Sequence, residues 1–123
     1  MLKRSTNNPI LSARKDIPWS SNKVYNPAVV KTDEKYHMLF RAIGNDWISR
    51  LGLAISDDGD SFTPADTAVL EPSNKWESNG CEDPRITKID GTYWVSYTAF
   101  DGKTARAALT STPDFITLGE RRL

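Results

Sequence analysis

The sequence has little cysteine and histidine, no excess of either charge sign and no long apolar run. Its single cysteine, Cys81, excludes an intramolecular disulfide framework and a cysteine-based zinc cluster, and its one histidine, His37, argues against a histidine-ligated metal site. We therefore expect no metal site, and the sequence gives us no reason to expect a cofactor. Sixteen basic and sixteen acidic side chains cancel, which removes the basic field that binding to nucleic acid or an anionic membrane would need.

The sequence also lacks a targeting or membrane segment. The first residues, "MLKRSTNNPIL", include basic side chains but no apolar signal region. No stretch approaches the roughly 18 apolar residues of a membrane span. We expect a cytoplasmic protein.

What the sequence does contain is a series of short strand patterns. With 38% hydrophobic and 26% charged residues among 123, the composition is that of one ordinary globular domain. "KYHMLFRAI" (35–43) alternates side chains with a period of two, which indicates a β-strand, and no long amphipathic helix is predicted. Turn-forming residues separate it from five similar segments, at 24–30, 50–56, 84–90, 91–100 and 104–111.

The two halves of the chain repeat each other. "NPAVVKTDEKYHMLFRA" (26–42) aligns without a gap on "DPRITKIDGTYWVSYTA" (83–99), which places Asn26 over Asp83. Farther along, the alignment places Phe62 over Phe115. The unit is about 55 residues long with four short strands, which is typical of a β-propeller blade.

The repeat predicts an all-β fold of about two four-stranded antiparallel blades. We expect an N-terminal arm over 1–23, a first blade over 24–75, and a linker with a second blade over 76–123. Propellers close with about four to eight blades, so we expect the remaining blades to be absent from this chain. A small self-contained β-sandwich is the alternative.

Asp83 is the main candidate for chemistry. It begins the innermost strand of the second blade, at the same end of the channel as Asn26, and Pro84 favours an extended conformation for it. Because side chains alternate along an extended strand, we expect Glu82 to point elsewhere, so that only one of the two acids faces the pocket. Structural hydrogen bonding by Asp83 is the alternative to catalysis.

Three arginines are candidates for binding an anionic substrate. Arg41 ends the second strand and Arg50 opens the third across the same turn, and planar guanidinium groups bind phosphate or carboxylate oxygens in pairs. Solvated surface positions are the alternative. Arg85 either pairs with Glu82 or shares the face of Asp83.

The remaining distinctive residues have plainer interpretations. Cys81 is expected to pack, and His37 to be structural or exposed. In "SDDGDSF" (56–62) the acidic side chains are expected to cap their own turn. Trp47 and Trp76 are equally compatible with a sugar-stacking platform and with core packing.

These segments resemble glycoside hydrolase family 130. The resemblance covers almost the whole chain, and "GCEDPRI" (80–86) is its most specific element. The other matching segments are "NPIL" (8–11), "VYNPAVV" (24–30), "YHMLFRA" (36–42), "RLGLAISDDGDSF" (50–62) and "YWVSYTAFD" (93–101).

The resemblance implies a five-bladed propeller with β-mannoside phosphorylase or β-mannosidase activity. It implies that Asp83 is the catalytic acid, acting through a hydroxyl of the mannose, while inorganic phosphate attacks the anomeric carbon and inverts it to give mannose 1-phosphate. Asn26 resembles a sugar-contacting residue and Arg41 a residue near the anion site. Further phosphate-binding residues of the family are expected beyond this chain.

Three hypotheses follow. In the first, the chain is the N-terminal part of a β-mannoside phosphorylase whose partners are a mannose-containing oligosaccharide and phosphate, with Asp83 as acid and with Asn26, Arg41, Arg50, Glu82 and Arg85 binding substrate. In the second, the protein is a β-mannosidase that uses water. In the third, two blades form a non-catalytic carbohydrate-binding or assembly module that closes as a homo-oligomer.

Overall fold

The computed structural model describes residues 1–123 and is built almost entirely of strands. In the first blade, strands β1 (Lys23–Lys31), β2 (Tyr36–Ile43), β3 (Ser49–Ser56) and β4 (Thr63–Leu70) pair in sequence order, each antiparallel to the next. In the second blade, β5 (Gly80–Ile89), β6 (Thr92–Phe100) and β7 (Ala105–Thr112) pair in the same way. The predicted all-β fold is confirmed.

Each of the six segments singled out in the sequence overlaps a strand, but two strands differ from expectation. β4 was not singled out, because "TPADTAVL" is polar and contains a proline; it pairs only with β3, and an edge strand tolerates proline. In the second blade the place of a fourth strand holds a single bridge between Leu109 and Arg122. The proposed division at residues 23 and 75 stays a prediction.

A short 3₁₀ turn precedes each blade, and these turns extend the repeat upstream. Pro18–Ser20 leads into β1 and Lys75–Glu77 leads into β5, so that Trp19 and Trp76 occupy equivalent positions. The indole of Trp19 donates a hydrogen bond to the carbonyl of Asp66 and packs on the first blade. Trp76 packs on apolar residues of both blades, which favours the core interpretation for it.

Equivalent turns also end β3 and β7. The Ser56 hydroxyl accepts from the amide of Gly59, and the Thr112 hydroxyl accepts from the amide of Phe115, in both cases at 2.8 Å. The expected self-capping is confirmed, since one carboxylate oxygen of Asp58 accepts two amides of its own turn. The sequence alignment was wrong here, because Phe115 matches Gly59 rather than Phe62; both adopt positive φ, 64° and 78°.

The apolar core lies mainly between the blades. One cluster joins Leu51 and Leu70 of the first blade to Cys81 and Tyr97 of the second, and Cys81 is fully buried, which confirms its packing role. A second cluster lies around Phe115, on whose ring His37 stacks with centroids 4.6 Å apart. His37 is thus half-buried and structural.

Only one backbone bridge joins the two blades. Ser49 of β3 pairs with Gly80 of β5 in parallel orientation. A Cβ on Gly80 would lie 2.9 Å from the Cβ of Ser49, so the close approach requires glycine. The chain contains no helix long and apolar enough to cross a membrane.

Candidate active site

A bulge in the first strand of each blade shapes the site. Asn26 and Asp83 both adopt left-handed conformations, with φ of 48° and 51°, and the strand register shifts at both positions. Asn and Asp tolerate this region better than most residues, and the following prolines, Pro27 and Pro84, have no amide to donate to the ladder. The expectation of an extended Asp83 was therefore wrong, because the bulge overrides the bias set by Pro84.

The bulge brings both acids to one arginine. Arg41 Nη2 donates to Glu82 Oε1 at 2.8 Å, and Arg41 Nη1 donates to Asp83 Oδ1 at 3.1 Å. The expectation that Glu82 points away from Asp83 was also wrong, since regular alternation stops at a bulge. Arg41 thus crosses from the first blade to hold two adjacent carboxylates of the second.

The remaining contacts of Arg41 fix its plane. Its Nε donates to the hydroxyl of Ser49 at 3.0 Å, and the ring of Tyr25 lies 4.9 Å from the guanidinium carbon. All three guanidinium nitrogens are therefore engaged by the protein. Arg41 is mostly buried, at 16% side-chain exposure. Its main role is therefore to orient the two carboxylates, and little of its guanidinium is accessible to a ligand.

Asp83 retains one free carboxylate oxygen. Its Oδ1 accepts from Asn26 Nδ2 at 2.9 Å as well as from Arg41, whereas Oδ2 has no hydrogen bond within the chain. The side chain is 35% exposed and lines an open depression of about 460 Å³. A fixed carboxyl group with one open oxygen can exchange a proton with a ligand in that depression.

Two further guanidinium groups line the same depression. Arg85 shares it with Asp83, as one of its two predicted placements required, and the other placement is wrong because Glu82 pairs with Arg41 instead. Arg85 Nη1 donates to the carbonyl of Pro84 at 2.7 Å. The second group is Arg106 of β7, which was missed in the sequence and which donates to Asp101 at 2.6 Å.

Arg50 lies apart from this cluster. Its Nη2 donates to Asp46 at 2.8 Å and its Nε donates to Glu71 at 3.4 Å. The hydrogen bond from Arg50 and the positive charge of Arg50 lower the pKa of Asp46. The structure therefore does not bring Arg41 and Arg50 together as a paired anion site. Binding of substrate by Arg50 stays a prediction.

The repeat itself could have identified Arg106. Arg50 pairs with Ala42 across β2 and β3, and Arg106 pairs with Ala99 across β6 and β7, so the two arginines are equivalent. Hydrogen bonds from Arg106 and from the turn amides lower the pKa of Asp101 to about 2, which keeps this ion pair charged. The missed signal was thus an arginine at the start of the third strand in both blades.

A buried carboxylate, Glu77, ties the linker to the second blade. It is fully buried and accepts the hydroxyl of Tyr97 at 2.7 Å and the guanidinium of Arg121. Burial acts to raise the pKa of Glu77, but hydrogen bonds from Tyr97, Ser73 and Arg121 outweigh it and lower the pKa to about 2. Glu77, a residue of the linker, thus lies in the core.

The same network makes Cys81 unsuited to nucleophilic chemistry. Burial, and then the charge of Glu77, raise the pKa of the Cys81 thiol. A thiol held in its neutral form is a poor nucleophile. Trp47 differs from Trp76 in that its side chain is exposed, with Lys23 Nζ 5.2 Å from its ring.

Comparisons with known proteins agree on one family. The model of glycoside hydrolase family 130, described as β-1,4-mannooligosaccharide phosphorylase, matches residues 2–121. A β-1,2-mannobiose phosphorylase of Thermoanaerobacter sp. (strain X514) is 38% identical over 115 residues, covering 83% of this chain and 38% of the relative. A 1,2-β-oligomannan phosphorylase of the same strain is 39% identical over 106 residues, covering 80% and 36%.

A solved structure agrees with these relatives. It comes from work on the GH130 family of mannoside phosphorylases, described as containing glycoside hydrolases that target β-1,2-mannosidic linkages in Candida mannan. The match has a TM-score of 0.88 and 31% identity and covers 94% of this chain and 39% of the other. The chain therefore spans less than two-fifths of each of these three proteins.

Proposed function

The chain belongs to glycoside hydrolase family 130, and on that basis we propose that the complete protein cleaves a β-mannosyl linkage with inorganic phosphate. A phosphate oxygen attacks the anomeric carbon as the glycosidic bond breaks, and the products are mannose 1-phosphate, with inverted configuration, and the shortened sugar. Asp83 supplies the proton through a hydroxyl of the mannosyl unit, and the leaving oxygen receives it. The bonds formed and broken and the transferred proton are all accounted for by the sugar, phosphate and Asp83, so the reaction needs no cofactor.

The observation that carries the proposal is the free oxygen of Asp83. Both donors from the first blade, Asn26 and Arg41, bind Oδ1, so Oδ2 is the oxygen left free to exchange a proton with a ligand in the depression that Asp83 lines. The ion pair between Arg41 and Glu82 balances the arginine charge, and the Asp83 side chain is thus oriented with little added net charge. General acid catalysis requires this kind of fixed, accessible group.

Arginines of the second blade support phosphate as the attacking group. Arg85 and Arg106 line the depression that contains Asp83, and guanidinium groups bind phosphate oxygens through paired hydrogen bonds. We assign them to phosphate binding. Inverting hydrolysis would instead need a second carboxylate that activates water across the sugar ring.

Hydrolysis is the second candidate, because the family described for the matched structure includes hydrolases. The two reactions differ in their requirement for phosphate. The complete protein should be incubated with β-1,2-mannobiose and β-1,4-mannobiose, with and without phosphate, and mannose 1-phosphate and free mannose measured. We expect mannose 1-phosphate only with phosphate; equal turnover without it would identify a β-mannosidase.

A further inference from the structure

Ser49 lies where the two blades meet the site. It begins β3, is almost fully buried, and forms the single backbone bridge to β5. The close approach of Gly80 brings the strand that carries Glu82 and Asp83 against it. Its backbone is therefore a contact between the blades. Its hydroxyl group also forms hydrogen bonds with the charged cluster of Arg41, Glu82 and Asp83.

The Ser49 hydroxyl joins two members of that cluster. It accepts from Arg41 Nε at 3.0 Å and donates to Glu82 Oε1 at 3.1 Å, which uses its one proton and one of its lone pairs. Arg41 also donates directly to Glu82. The three side chains therefore form a closed ring of hydrogen bonds, in which Ser49 fixes the one guanidinium nitrogen that neither acid reaches.

The repeat shows that the strand itself does not need this hydroxyl. Ser49 pairs with Ile43 across β2 and β3, and Ala105 pairs with Phe100 at the equivalent place in β6 and β7. The second blade thus forms the same strand pair with alanine. What distinguishes the first blade at this position is the arginine beside it, since Thr98 of β6 is the equivalent of Arg41.

We propose that Ser49 is a positioning residue for the reaction, a role that rests on the proposed function. By holding Arg41 Nε, it fixes the plane of the guanidinium so that Nη1 meets Asp83 Oδ1 and the proton of Asp83 stays directed into the depression. Ser49 does not touch the substrate. Its loss should therefore lower kcat and leave the KM for the mannoside nearly unchanged.

Kinetics of Ser49→Ala and Ser21→Ala in the complete protein test this role. Ser21 is a buried serine whose hydroxyl donates only to the carbonyl of Pro18, and it makes no bond to the cluster. Loss of a hydrogen bond to a charged group should lower kcat of Ser49→Ala about tenfold with KM within about twofold, while Ser21→Ala stays near the unmodified protein. Equal kinetics of the two variants would overturn the proposal.

A double-mutant cycle separates positioning from general damage. In an Arg41→Ala background, Ser49→Ala should have little further effect on kcat, because its action passes through Arg41. Ser49→Cys, which keeps a weak donor of similar size, should recover part of the lost rate. Additive losses, or no recovery with cysteine, would contradict a positioning role.

A readout that does not depend on turnover separates failure of this proposal from failure of the proposed function. In protein labelled with ¹⁵N-arginine, the Arg41 Nε–H signal, assigned by its loss in Arg41→Lys, should be sharp in the unmodified protein and in Ser21→Ala. It should broaden by exchange in Ser49→Ala. A signal that stays sharp in Ser49→Ala would overturn the proposal, whichever substrate the enzyme uses.

Discussion

The two blades share strand order, bulges and turns, but they contribute differently to the site. At equivalent positions the first blade has Asn26, Arg41 and Ser49, whereas the second has Asp83, Thr98 and Ala105. The first blade supplies hydrogen-bond donors and the second supplies the acid on which they converge. The candidate site thus combines different residues at matched positions of the two blades, on either side of the one backbone bridge.

The blades differ again beneath the site. Where the second blade has Glu77 and Tyr97, the first has Ser20 and Phe40. The second blade thus contains a buried carboxylate together with its hydroxyl donor, and the first blade contains neither. A buried charge is tolerated only with partners, and Arg121 and Ser73 complete the set for Glu77. The difference predicts an asymmetry in stability between the two turns.

The largest expected effect is on stability. Glu77→Ala leaves the hydroxyl of Tyr97 and the guanidinium of Arg121 without their partner, and should lower the free energy of unfolding by about 3–5 kcal/mol. Ser20→Ala, at the equivalent position, should cost less than about 1 kcal/mol. Urea denaturation of the complete protein measures both, and equal losses would remove the asymmetry.

The contribution of Glu77 to the free energy of unfolding should also depend on pH. The folded pKa of Glu77, about 2, lies below the ordinary value of 4.5 for a glutamate, so the unfolded chain binds more protons between these values. The contribution is therefore complete above about pH 4.5 and is lost as pH falls toward 2. Glu77→Gln should show a shallower acid dependence than the unmodified protein, and an unchanged slope would contradict the assignment.

The next effect is on catalysis. Asp83→Asn removes the proposed proton donor and should lower kcat at least about 10²-fold, the usual size of general acid catalysis. Asp33→Asn, in the exposed turn between β1 and β2, is the matched control and should be near normal. Initial rates of mannose 1-phosphate release measure both. A near-normal rate for Asp83→Asn would exclude it as the acid.

A smaller effect separates the two equivalent arginines. Arg106→Ala should raise the KM for phosphate about tenfold, because its guanidinium lines the depression beside Asp83. Arg50→Ala removes the same side chain from the first blade, where Asp46 and Glu71 hold it away from the cluster. Its loss should raise the phosphate KM less than the loss of Arg106 does, and equal effects would refute the assignment of the anion site to the second blade.

The smallest expected effect is on the pH dependence of stability and concerns His37, whose equivalent in the second blade is Trp94. Burial and the charge of Lys35 lower the pKa of His37, so the unfolded chain binds its proton first. The contribution of neutral His37 to the free energy of unfolding is present above about pH 6.5. It is lost as the pH falls below that value, and the loss is less than about 1 kcal/mol. Unfolding midpoints at pH 7.5 and 5.5 should differ less in His37→Gln; the same difference in both proteins would contradict this.

Much of the architecture was predictable because it depends on local periodicity and on the repeat. Alternation identified the central strands, and the repeat placed Asn26 over Asp83, which form a hydrogen bond in the structure. The conformation of Asp83 was not predictable from its neighbours. A bulge depends on how two strands register, and Pro84 alone favours the opposite conformation.

The rest of the site depends on contacts between blades, which no local pattern encodes. Arg41 was identified as a cation, but its two acidic partners follow from the approach of Gly80 to Ser49. The burial of Glu77 depends on Arg121, more than forty residues away, so no local pattern predicts it.

Exchanging the two bulge residues tests most directly the claim that the acid must lie in the second blade. The double variant Asn26→Asp, Asp83→Asn keeps the same pair of side chains and the same total charge but moves the carboxylate to the first blade. Release of mannose 1-phosphate by the complete protein should stay as low as in Asp83→Asn alone. Recovery to within about tenfold of the unmodified rate would contradict the account.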